Sequence, residues 1–224
     1  MGLYIRQVSA IIRKDILVEL RTRESSTAML VFAIMAIVLF NFALRLSTDS
    51  LKPLVPGLLW IVLVFTGTLG LGHSMYNEQV NQCIEGLLLA PCDRSVIFLG
   101  KAISNALYTL FIAVIVLPVM AILFDESLLQ PSVLVTVVVG VIGYSGAGTL
   151  IATMAASTRA REIFLPILLF PLAIPLVASA VIVTSGVLDA QLLGEYAPWF
   201  GVMVAFAVIF WTAGSLLIEF LLEG

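Results

Sequence analysis

Six long stretches of this 224-residue chain contain no Asp, Glu, Lys or Arg, and they restrict its fold more than any motif does. They cover residues 25–44, 53–77, 102–124, 127–158, 163–188 and 196–218, the fourth with an apolar core at 133–156. Each matches or exceeds the roughly 20 residues a helix needs to cross about 30 Å of hydrocarbon. Spanning strands would alternate in polarity, and these runs do not. The expected fold class is therefore all-α and integral to the membrane, with six transmembrane helices in one transmembrane domain over residues 1–224. Composition agrees: 61% of residues are hydrophobic and 11% charged, against about 45–50% and about 25% in a soluble domain. That balance excludes a soluble enzyme. Two cysteines exclude a disulfide scaffold, and a single histidine makes multi-histidine metal or heme ligation hard to build.

Lys and Arg set the orientation. Arg6, Arg13, Lys14, Arg21 and Arg23 precede the first run, Arg94 and Lys101 follow the second, and Arg159 and Arg161 follow the fourth. Only Arg45 and Lys52 fall on the opposite side. The positive-inside rule then places both termini in the cytoplasm. The first 24 residues carry eight charges, unlike the brief basic region of a cleavable signal. Ile5, Val8, Ile12, Ile16 and Leu20 recur at helical spacing, so residues 1–24 are expected as an amphipathic helix along the inner leaflet, with Glu19 falling awkwardly near its apolar side. It is either a plain basic anchor or also a docking surface for a cytoplasmic partner.

Residues 76–101 form the one sizeable cytoplasmic loop. Polar residues 77–82 lead into Ile84, Leu87 and Leu88 at helical spacing, and Pro91 ends the pattern. This short amphipathic helix is either an ordinary interfacial loop or a knob that sits in a partner's groove and receives force. In the fourth run, Gly148, Ala152 and Ala156 are four apart, as are Gly143 and Ala147. Such spacing lets helix backbones approach closely, within one bundle or between subunits. The fifth run carries Pro166, Pro171 and Pro175, each lacking a backbone donor. A kinked or broken helix is expected there, either a plain kink or a moving gate, with residues 177–198 able to dip into the membrane as two short helices.

Several chemistries fail on residue type. Gly100-Lys101 suggests a phosphate loop, but that motif needs Gly where Ser95 stands and Ser or Thr where Ala102 stands. ATP binding by this chain alone is not expected. Cys83 and Cys92 have no redox-motif spacing. His73, near the inner end of the second run, reads as a packed or interfacial residue, with one axial heme ligand as the alternative. No carboxylate stands in the middle of a run, so the usual marker of ion-coupled transport is missing. A transporter-like bundle without an energy-coupling residue suits a chain that borrows energy from a separate ATPase.

Five segments, in order, carry a resemblance. They are Lys14-Asp15-Ile16-Leu17-Val18-Glu19-Leu20-Arg21-Thr22-Arg23-Glu24, Pro56-Gly57-Leu58-Leu59-Trp60, Glu85-Gly86-Leu87-Leu88-Leu89-Ala90-Pro91, Gly100-Lys101 after Arg94, and Phe170-Pro171-Leu172-Ala173-Ile174-Pro175. With six spans and this length, the chain resembles the heme exporter protein B (CcmB) family, the membrane subunit of the ABC transporter of cytochrome c maturation. The polar run 77–82 departs from the family's more charged pattern.

The resemblance implies an ABC-2 type exporter fold in a bacterial inner membrane, with residues 77–91 as a coupling helix. It implies a non-catalytic permease subunit with no resident cofactor, heme as cargo, and ATP bound by a partner. The implied partners are an ABC ATPase subunit, a heme-handling membrane protein, a small single-span subunit and a periplasmic heme chaperone. A second copy of the chain and the lipid bilayer complete the set, and no nucleic acid is implied. The expected site residues are Glu85, Gly86, Leu87, Leu88 and Pro91 for ATPase coupling, Pro171 and Pro175 for a gate or substrate path, and His73 for heme contact. An ABC-2 permease for a drug, lipid or polysaccharide, and a membrane scaffold that moves nothing, are the competing readings.

Overall fold

The structure, a computed structural model, describes residues 2–45, 52–80, 93–156 and 161–221. Seven α-helices follow one another among the described residues: α1 Gly2–Thr22, α2 Glu24–Arg45, α3 Val55–Val80, α4 Arg94–Phe124, α5 Pro131–Ala156, α6 Arg161–Leu188 and α7 Leu193–Leu221. A 3-10 turn, Lys52–Leu54, leads into α3. Helices α2 to α7 supply six segments long and apolar enough to cross a membrane, and no strand occurs among the described residues. The protein is an all-α membrane protein.

Local chemistry marks the ends. Asp93 caps α4, its Oδ1 accepting from the Ser95 N–H at 3.4 Å. At the other end Asp125 takes a left-handed conformation (φ 54°) and stops the helix. Pro131 opens α5, where its missing N–H costs nothing. Lys52 and Glu126 pair at 3.4 Å, joining the entry of α3 to the α4–α5 turn. Arg23 (φ 56°) breaks α1 from α2. The Glu19 carboxylate accepts the Ser26 N–H at 2.6 Å, satisfying a first-turn donor of α2. That contact accounts for an acidic residue on the otherwise apolar side of α1.

Helices α3 and α5 form the centre: 72% and 67% of their spanning windows are buried, against 22% for both α2 and α7. Helix α5 packs on α3, α4, α6 and α7. Its glycines make this possible. A Cβ at Gly140 would strike the Trp60 ring, one at Gly146 would strike Trp211, and one at Gly148 would strike Leu71. Gly143 faces Leu176 and Phe206, while Ala147 and Ala152 are buried. The small residues of the fourth run therefore serve packing within one bundle. Both indole N–H groups are satisfied in these contacts, Trp60 donating to Thr184 Oγ1 at 3.0 Å and Trp211 to the Ile142 carbonyl at 2.8 Å.

Two expectations change. The third span begins at Arg94, not at 102, because Lys101 is neutralised inside the helix rather than marking its end. The fifth span is one helix across all three prolines, and residues 177–198 contain no pair of short helices. Helix α6 runs to Leu188, turns at Ala190 (φ 51°), and α7 starts at Leu193. Pro171 and Pro175 lie on its exposed side, so their rings spare the packed face, and Ser179 Oγ donates to the Pro175 carbonyl at 2.7 Å. In α1, Ile5 and Leu20 of the predicted stripe are exposed, 62% and 64%, while Ile11 and Asp15 face the bundle. Val8, Ile12 and Ile16 of the same stripe are half-buried.

Candidate functional site

The expected coupling segment, residues 77–91, overlaps the described structure at its start. Asn77–Val80 prolong α3 as its last turn. Glu85, Gly86, Leu87, Leu88 and Pro91 lie outside the described residues. After residue 92 the chain enters the Asp93 cap and then α4. Residues 81–92 thus join the last turn of α3 to the Asp93 cap of α4.

Those turns are held by α1. The hydroxyls of Tyr4 and Ser95 share a hydrogen bond at 2.9 Å. Ile11 fills the space over Gly100, where a Cβ would lie 2.7 Å from Ile11 Cγ2. One turn further along α1, Asp15 Oδ2 meets Lys101 Nζ at 2.9 Å, and Lys14 Nζ approaches Asp15 Oδ1 at 3.2 Å. Asp15 is 7% exposed and Lys101 3% exposed, so the pair is shielded from water. Such a pair adds little net stability, but losing either partner leaves the charge of the other less well compensated in a buried place. The structure thus explains Gly100-Lys101 without nucleotide: the glycine admits a side chain from α1 and the lysine neutralises its carboxylate.

A buried polar column continues from Lys101 towards the middle of the bundle. Ser104, Asn105, Thr109, Thr149 and Tyr144 are all buried. Asn105 Nδ2 donates to Thr149 Oγ1 at 3.0 Å, joining α4 to α5, while Asn105 Oδ1 is buried with no hydrogen-bond partner. Tyr144 Oη and Thr68 Oγ1 share a hydrogen bond at 2.6 Å, joining α5 to α3. Above them, Trp60, Thr109, Val141, Tyr144 and Leu176 line a space with room for about one water molecule. These groups hold helices together by paired dipoles; no nucleophile and base stand among them.

His73 is half-buried near the end of α3. Among the described residues no three of His, Cys, Asp and Glu come together as a metal site. Pro171 and Pro175 face outward from α6, so they do not line the bundle interior with His73 or the polar column. Of the expected site residues, His73, Pro171 and Pro175 are the described ones, and both prolines stand apart from the bundle interior. The cluster that does form, Asp15, Gly100, Lys101 and Asn105, was not singled out as a site in the sequence. Its signal was present: a lysine directly after glycine, between two apolar stretches, and an aspartate one turn from Ile11.

This architecture defines a class: a six-span helical membrane protein with an extra helix clamped across one end of its third span. The family model described as CcmB protein matches residues 6–218, and the chain belongs to that family. It is 26% identical over 166 residues to heme exporter protein B of Pseudomonas aeruginosa, covering 74% of this chain and 73% of that one. It is 21% identical over 182 residues to heme exporter protein B of Bradyrhizobium diazoefficiens, covering 81% and 82%. The match spans both halves of the Asp15–Lys101 pair.

Proposed function

We propose that this chain is the permease subunit of an ABC transporter for heme, acting in cytochrome c biogenesis in a bacterial inner membrane with both termini in the cytoplasm. The observation that carries the reading is the family match over residues 6–218, with relatives named for heme export. Heme is the cargo, ATP binds a separate ABC subunit, and the chain itself is not an enzyme. Residues 77–91 dock on that subunit, with Leu87 and Leu88 in its groove and Glu85 against a basic group. Because α4 starts directly after this segment, closure of the ATPase pair moves α3 and α4. That motion serves heme delivery, or release of a heme-loaded periplasmic chaperone. A heme-handling membrane protein and a small single-span subunit complete the complex. The outward face of α6 at Pro171 and Pro175 meets the outer partner or the heme path, and His73 is the candidate heme contact.

The test is purification of the tagged chain from membranes in mild detergent. An ABC ATPase and heme are expected to accompany it, with ATP hydrolysis only when that subunit is present. ATP turnover by the isolated chain, or a complex holding neither ATPase nor heme, would overturn the reading.

A further inference from the structure

We infer that α1 and the first turns of α4 form one rigid unit, latched by the Asp15–Lys101 pair, so that force reaching α4 from residues 81–92 carries α1 with it. Asp15 and Lys101 are then positioning residues of the transport cycle, an inference that rests on the proposed function for the origin of the force.

Three contacts make the latch: Tyr4 with Ser95, Ile11 with Gly100, and Asp15 with Lys101. On α1 they span residues 4–15, roughly 16 Å of helix; on α4 they span 95–101, roughly 9 Å. The helices therefore cross obliquely, and contacts spread over such a length resist both sliding and pivoting. Each contact also depends on register. A slip of one turn, about 5.4 Å, would lift Ile11 out of the glycine notch and press another side chain against α4. It would also separate two charges shielded from water, at a cost far above that of moving the helices together. On its other side α1 is tied to α2 at their junction by the Glu19–Ser26 hydrogen bond. It packs chiefly on α4, has α2 as a minor neighbour, and is parted from α2 by the left-handed Arg23. The chain neighbour of α1 is α2, yet its mechanical neighbour is α4.

The test uses the full chain in its complex, with Cys83→Ser and Cys92→Ser, carrying Ile11→Cys with Gly100→Cys. The Ile11 Cβ lies 2.8 Å from a Cβ built on Gly100, so a small adjustment gives disulfide geometry. Mild oxidation should link nearly every molecule, read by mass spectrometry of the joined peptides. ATP hydrolysis and heme handling should stay within about twofold of the reduced protein, because the bond only repeats a constraint already present. Activity lost on oxidation and regained on reduction would show that α1 slides on α4, and would overturn the inference.

An offset pair, Val8→Cys with Gly100→Cys and Ile11→Ala to make room for the new side chain, reports register without any ATP. It should link at least about tenfold more slowly than the in-register pair; equal rates would overturn the rigid unit whatever the complex transports. Lys101→Met should speed the offset bond and Lys101→Arg should restore its slowness; no change with Lys101→Met would remove Lys101 from the latch. Should the complex hold no ATPase, the proposed function fails, while these linking rates still decide the latch.

Discussion

Lys101 stands seven residues inside α4 and is almost wholly buried, a position a lysine occupies only when its charge is answered. Asp15 answers it from another helix, and this fixes how a substitution should behave. Lys101→Met leaves the buried Asp15 carboxylate to the half-exposed Lys14 alone and should cost up to about 3 kcal/mol. Adding Asp15→Leu should recover most of the loss, since an apolar pair of similar volume is often neutral. Thermal unfolding of the purified variants checks both; equal losses in the single and double variants would mean the charges act separately. Gly148 gives a second case. Its missing Cβ makes room for Leu71, which is 2% exposed. Gly148→Val should therefore destabilise the bundle by about 1–3 kcal/mol through overpacking, whereas Gly57→Ala, with nothing within 4 Å, should cost far less. The same unfolding assay separates them.

At the scale of elements, the outward-facing prolines of α6 make a sharp prediction. Pro171 and Pro175 each remove a helix hydrogen bond while contributing nothing to the packed face. Pro171→Ala with Pro175→Ala should keep or raise the melting temperature and lower c-type cytochrome assembly. A fall in stability with assembly intact per folded molecule would make the prolines purely structural. The coupling segment has its own prediction: Glu85→Arg should leave insertion and abundance unchanged while uncoupling ATP hydrolysis from heme handling. Wild-type cytochrome assembly in that variant would remove Glu85 from the docking site. Five of the six spans could be read from charge-free runs to within a few residues, because lipid tolerates few exceptions. The third could not, because a buried ion pair looks like a span boundary when only one partner is in view. The continuity of α6 was hidden for a related reason: prolines in sequence do not tell which way they face. The awkward Glu19 likewise needed Ser26 brought beside it before its role was visible.

At the scale of the whole molecule, the buried α3 and α5 form the axis, and the sparsely covered α2 and α7 present wide apolar faces outward. Polar contacts cross this axis from Asp15 and Lys101 through Asn105–Thr149 to Tyr144–Thr68, so α1, α3, α4 and α5 are tied by groups that must stay paired in hydrocarbon. Such a frame is suited to passing displacement from one end to the other, as the proposed function requires. The proposed docking of residues 77–91 on an ABC ATPase is the step on which this rests. A photo-crosslinking amino acid at Leu87, activated in intact membranes, should join the chain to its ABC ATPase subunit, with a yield that changes when ATP is added. A Leu87 probe that never reaches the ATPase, in a complex that still assembles c-type cytochromes, would contradict it.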